Sequence, residues 1–122
     1  MLIDDEPELV KAVEVRLKAS GYGVEVAYDG LAGIAKAEET KPDLILLDIV
    51  MPKMDGYEVC KRLKGNPKTK GIPIIVFTAS VAAGQQELEK KCMSAGANGA
   101  IAKPFETNEL LNMINDVLKK EK

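Results

Sequence analysis

The sequence predicts an α/β domain in which a parallel sheet is covered by helices on both faces. Leu44, Ile45, Leu46 and Leu47, and again Ile74, Ile75, Val76 and Phe77, are runs of large apolar residues without polar alternation. That pattern belongs to strands buried on both faces. Between such runs lie stretches with apolar residues at helical spacing, each closed by glycine or proline. Strict alternation of strand and helix calls for parallel crossovers and a doubly wound sheet. Five such units fit one domain over residues 1–122, whereas an eight-stranded barrel needs about twice the residues.

The first strand is the apolar stub Met1-Leu2-Ile3, which runs into Asp4-Asp5-Glu6-Pro7. Pro7 suits the first turn of a helix, and Asp5 and Glu8 have the spacing of a capping pair. Leu9, Val10, Val13 and Leu17 repeat at helical spacing until Gly21. Val24 and Val26 alternate with Gly23 and Glu25 as a weak second strand, and Ala32, Ile34, Ala35 and Ala37 mark a small-residue helix ending near Pro42. The third strand leads to Asp48 and a loop holding Pro52 and Gly56, followed by a helix with Tyr57, Val59, Cys60 and Leu63.

The lysine-bearing loop 65–71 reads as solvated, or as a basic contact surface for an acidic partner. The fourth strand spans 72–77 and ends at Thr78-Ala79-Ser80, and a helix follows from about 83 to 95. Ala100, Ile101 and Ala102 form a short fifth strand ending at Lys103-Pro104. Leu110, Leu111, Ile114, Val117 and Leu118 mark the last helix.

A net charge of -2 gives no reason to expect a nucleic-acid or anionic-membrane surface. No apolar run approaches a membrane span, and the first residues lack a signal pattern, so the cytoplasm is the expected location. Cys60 and Cys92 fall at apolar helix positions and read as reduced core thiols. The chain has no histidine, which removes the usual general base and a common metal ligand.

The residues at the strand ends are Asp4 and Asp5, then Asp48, Thr78 and Lys103. Parallel strands bring all of these to one edge of the sheet, where open α/β sheets bind ligands. Clustered carboxylates repel one another unless they share a cation, and a hard divalent ion such as Mg2+ suits oxygen ligands. Asp48 is placed to act as a carboxylate nucleophile toward a phosphoryl group, with Lys103 neutralising the transferring oxygens and Thr78 donating to one of them. Singly, each residue has a plainer role as a cap, a turn, a polar strand terminus or a snorkelling lysine. Capping does not account for all of them at successive strand ends.

At these motifs the sequence resembles the receiver domain of bacterial two-component response regulators. The matching stretches are Ile3-Asp4-Asp5-Glu6-Pro7, Leu47-Asp48-Ile49-Val50-Met51-Pro52 with Met54-Asp55-Gly56, Phe77-Thr78-Ala79, and Gly96-Ala97 leading to Lys103-Pro104-Phe105. The resemblance covers nearly the whole chain. It implies a flavodoxin-like five-stranded sheet of order 2-1-3-4-5 with five helices. It implies a phosphoryl group accepted on Asp48 from a histidine kinase or histidine phosphotransfer protein. It further implies Mg2+ held by Asp5, Asp48 and the Val50 carbonyl, with Asp4 acting through water. Thr78 and Lys103 would contact the phosphoryl oxygens, Ala79 would leave room for them, and a cis peptide before Pro104 would hold Lys103. Partner binding would switch at the face of the fourth helix, fifth strand and fifth helix, with no direct nucleic-acid or membrane contact.

One departure bears on the switch: receivers often carry an aromatic three residues before the lysine, and Ala100 stands there. Other readings are a receiver-like docking domain with little phosphorylation, a phosphohydrolase and a flavin or nucleotide binder. A phosphohydrolase would place a second aspartate two residues after Asp48, where Val50 stands, so the chain is expected to be a signalling module and not an enzyme of turnover. Gly21-Tyr22-Gly23 lacks the third glycine of the dinucleotide fingerprint, and no P-loop is present.

Overall fold

A computed structural model describes residues 1–49, 51, 54–79, 85–103 and 105–120. The elements alternate as expected: β1 (Leu2–Ile3), α1 (Pro7–Ala19), β2 (Val26–Ala27), α2 (Gly30–Thr40), β3 (Ile45–Asp48), α3 (Gly56–Lys64), β4 (Ile74–Ala79), α4 (Gln85–Ser94), β5 (Gly99–Lys103) and α5 (Thr107–Lys120). The five strands form one sheet in the order β2-β1-β3-β4-β5. Every pairing is parallel.

The uninterrupted apolar runs divide their side chains between two cores. Ile45, Leu47, Ile74 and Val76 pack toward α3 and α4, where Val59, Cys60, Leu63 and Cys92 meet them. Their neighbours Leu44, Leu46, Ile75 and Phe77 face the other way, against Val10, Val13 and Leu17 of α1 and Leu110, Ile114 and Val117 of α5. This is the period-two alternation of a strand with both faces covered. Cys60 and Cys92 are free, buried thiols. Burial raises both, and Cys92 is pushed up to about 12, with nearby Cys60, Asp55 and Glu89 adding to the effect.

The helix ends follow local chemistry. Asp29 and Asp55 cap α2 and α3 by accepting from the backbone N–H groups of Ala32 and Glu58, at 2.8 and 2.9 Å. Gly21 and Gly96, which follow α1 and α4, have φ of 94° and 118°, a region that favours glycine. The entry to α1 departs from the expected Asp5–Glu8 cap. Its N-cap is Glu6 without a side-chain cap, and Asp4 instead accepts from the Glu6 N–H at 3.0 Å. Several strands also end later than the apolar runs suggested, so that Asp48, Thr78 and Lys103 are in-strand residues with fixed backbone pairing.

Gly56, the first residue of α3, sits against the end of β3. A Cβ there would meet Ile49 Cα at 2.6 Å and the Asp48 carbonyl oxygen at 2.9 Å, both backbone atoms that cannot swing aside. Gly71 has nothing within 4 Å of the corresponding position. Gly56→Ala is therefore expected to cost about 2 kcal/mol or more in urea unfolding. Gly71→Ala should stay within about 0.5 kcal/mol of the parent.

Candidate functional site

The carboxyl ends of β1, β3 and β5 deliver the charged residues of the site. Ile3 pairs with Leu47 across β1 and β3, Asp48 with Phe77 across β3 and β4, and Ala79 with Lys103 across β4 and β5. Asp4 leaves β1 with its N–H donating to the Ala27 carbonyl at 3.1 Å, which fixes the backbone of the first acid. Lys103 then reaches back over β4, its Nζ lying 5.6 Å from the Phe77 ring centroid. Phe77 in turn stacks on Phe105 with centroids 5.0 Å apart.

The ammonium meets three acids. Lys103 Nζ lies 3.1 Å from Asp4 Oδ2, 3.4 Å from Glu6 Oε1 and 3.6 Å from Asp48 Oδ1. The Asp4 side chain is 0% exposed, that of Asp48 7% and that of Lys103 21%, so these charges are only weakly screened. Burial by itself would lower the Lys103 ammonium, but Asp48, Asp4 and Glu6 together outweigh it and hold the group above its ordinary value. Lys103 is thus no snorkelling surface residue.

The carboxylates of Asp4, Glu6 and Asp48 each offer an oxygen within 4.8 Å of the others. Asp5 is half-buried beside this group but does not belong to it. The ligand set implied by the resemblance does not include Glu6, whose charge stands out in the sequence only as part of the helix entry with Pro7. Val50, Pro104 and the side chains of Thr78 and Ala79, to which the sequence also assigned roles, lie outside the described residues. Three oxygen donors that close, balanced by a single ammonium, suit a hard divalent cation.

The fold and site are thus those of a parallel five-stranded α/β sheet with an acid cluster and a bridging lysine at its carboxyl edge. Comparison with known proteins narrows this class to a family. Residues 1–115 match the family described as the response regulator receiver domain, and the chain belongs to that family. It is 37% identical over 120 residues to the DNA-binding dual master transcriptional regulator RpaA of Synechocystis, covering 98% of this chain and 48% of the relative. It is 36% identical over 121 residues to the alkaline phosphatase synthesis transcriptional regulatory protein PhoP of Bacillus subtilis, again covering 98% and 48%. The chain therefore spans about half the length of these curated relatives.

Among solved structures, the receiver domain of a sensor histidine kinase from Pseudomonas aeruginosa superposes with a TM-score of 0.87 at 31% identity, covering 97% of this chain and 94% of that one. That structure has a magnesium ion coordinated in its active-site cleft. A CheY-like receiver from Methanospirillum hungatei superposes with a TM-score of 0.89 at 28% identity, over 98% and 92% of the two chains. Among the described residues, no helix is long and apolar enough to cross a membrane.

Replacing Lys103 by Met strands the two buried carboxylates of Asp4 and Asp48, while the exposed Glu6 turns to solvent. The variant is expected to lose about 3 kcal/mol in urea unfolding at pH 7 without divalent ions. Because the folded-state value of Lys103 is raised, its contribution is complete below the ordinary lysine value of about 10.4 and is lost as pH climbs through the raised value. From neutral pH upward, the stability gap between parent and variant should hold until that alkaline window and close within it.

Proposed function

We propose that Asp48 is the phosphoacceptor and that this receiver takes a phosphoryl group from a phosphohistidine donor on a histidine kinase or histidine phosphotransfer protein. The observation that carries this reading is the buried Asp48 carboxylate within ion-pair distance of Lys103, at the carboxyl edge of the sheet. An Asp48 oxygen attacks phosphorus, the donor's N–P bond breaks, and the departing imidazole takes up a proton. The histidine comes from the donor, in keeping with its absence from this chain. Lys103 is positioned to exchange part of its contact with Asp4 and Asp48 for the arriving phosphoryl oxygens, and Thr78 is assigned as the hydroxyl donor to another of them.

The acid cluster fits Mg2+, which would reduce charge repulsion between the carboxylate and the incoming phosphoryl group. Asp48 and Asp4 belong to that cluster, with Glu6 at its exposed rim; from the family resemblance we further assign Asp5 and the carbonyl of Val50 as direct ligands beside Asp48, with Asp4 acting through water. Beyond its own phosphotransfer and a slow hydrolysis of the aspartyl phosphate, the chain turns over no small phosphate ester.

A downstream partner reads the state at the face of α4, β5 and α5. Lys103 is the last residue of β5, so a shift of its ammonium pulls on that strand directly. With Ala100 where receivers often carry an aromatic, the switch runs without an aromatic rotamer. Beryllofluoride, a phosphoryl mimic, is expected to shift amide resonances around Lys103 while leaving Ala100 largely in place. A large rearrangement at Ala100 would contradict this.

The function itself is tested by intact mass after incubation with acetyl phosphate and Mg2+. One added phosphoryl group is expected on the parent, and none on Asp48→Asn or without Mg2+. An adduct that persists in Asp48→Asn would remove Asp48 from the role.

A further inference from the structure

Charge is unevenly divided along this chain. Residues 59–86 carry five cations, Lys61, Arg62, Lys64, Lys68 and Lys70, and no carboxylate, while the remainder carries seven more carboxylates than cations. Folding adds Lys90 and Lys91 to the same region. A groove of about 490 Å3 runs between α3 and α4, with Tyr57, Lys61 and Lys64 on one wall and Lys90, Lys91 and a single carboxylate, Glu87, on the other, so that cations outnumber acids in its lining. We propose that this groove docks an acidic peptide segment of a partner protein, its carboxylates taken by Lys61, Lys90 and Lys91 alongside the Tyr57 ring.

Two neighbouring cations are already committed. Lys64 donates to the carbonyls of Ile72 and Lys70 at 2.8 and 3.3 Å, which secures the turn after α3. Arg62 pairs with Glu58 at 3.5 Å. Among the described residues, no carboxylate lies within ion-pair distance of Lys61, Lys90 or Lys91. Lys91 instead rests over the Tyr57 ring, with Nζ 5.8 Å from its centroid, at the face an apolar side chain of a peptide would cover. Neutralising helix C-termini accounts for the cations in the last turns of α3 and α4, but not for Lys90, which lies outside the last turn of α4.

The same helix ends favour a peptide over a compact anion. Gly65 and Ser94 place the carboxyl ends of both helices at the groove, where the negative ends of the helix dipoles disfavour the concentrated charge of a phosphate. No arginine lines the groove to bind a phosphate in bidentate fashion. Separate lysines on flexible stems match carboxylates spaced along a chain. This surface is independent of phosphoryl acceptance at Asp48, so it is tested on the unphosphorylated protein without divalent ions.

The experiment titrates a deca-glutamate peptide into the 15N-labelled full chain at low salt and follows amide shifts. Shifts confined to the neighbourhood of Tyr57, Gly65 and Ser94 are expected. Binding should weaken roughly tenfold in the triple variant Lys61→Gln, Lys90→Gln, Lys91→Gln. The triple variant Lys11→Gln, Lys18→Gln, Lys119→Gln, with the same change in net charge, should bind as the parent does. Absence of binding, shifts centred elsewhere, or equal weakening by the two triple variants would overturn the proposal. So would tighter binding of inorganic tripolyphosphate at the same lysines, which would make the groove a polyphosphate site.

Discussion

One ammonium holds three carboxylates together at the edge of this sheet, and the arrangement of the strands matters chiefly because it makes that contact possible. Asp4 and Asp48 are almost wholly removed from water, and each would be costly there without a cation. Lys103 supplies it from two strands beyond β3, its stem crossing the face of Phe77 to bring Nζ within 3.1 to 3.6 Å of all three acids. The site is thus assembled from residues up to 99 positions apart. Only a sheet with β1 between β2 and β3, and β4 between β3 and β5, sets them side by side.

Under the proposed role of Asp48, the same interaction would link the chemistry to a response. A charge arriving at Asp48 would compete for the ammonium that bridges Asp4, Glu6 and Asp48. Lys103 is anchored in β5, the edge strand, whose register with β4 runs from Ile75–Gly99 to Ala79–Lys103. Movement of the lysine therefore acts on a strand with one open side, where displacement disturbs the fewest backbone pairings. Gly56 lets the start of α3 approach the backbone of Asp48 and Ile49 at the end of β3, where a side chain would not fit.

The sheet was legible in the sequence because its strands are fully buried: Leu44 to Leu47 and Ile74 to Phe77 have no other stable place in a domain of this size. The edge strand β2 gave a weaker signal, since Val26 and Ala27 form only a two-residue pairing with β1. Asp4, Asp48 and Lys103 were legible because each stands at the carboxyl end of an apolar run, where a parallel sheet gathers its ligands. Glu6 gave no such signal, because it lies past a bend and its approach to Lys103 depends on how the chain turns into α1. The expected Asp5–Glu8 cap failed for a related reason, as Asp4 is already turned toward the Glu6 N–H. The basic loop was visible, but the groove was not, because Lys90 and Lys91 join Lys61 only through the packing of α4 on α3.

The most direct measurement of the central claim is calorimetric Mg2+ binding to the parent and to Lys103→Met. If Lys103 stands in for a cation among Asp4, Glu6 and Asp48, removing it removes a competing charge, and the folded variant should bind Mg2+ roughly tenfold more tightly. Unchanged or weaker binding by a variant that remains folded would contradict the account, because the ammonium would then not share its site with the metal.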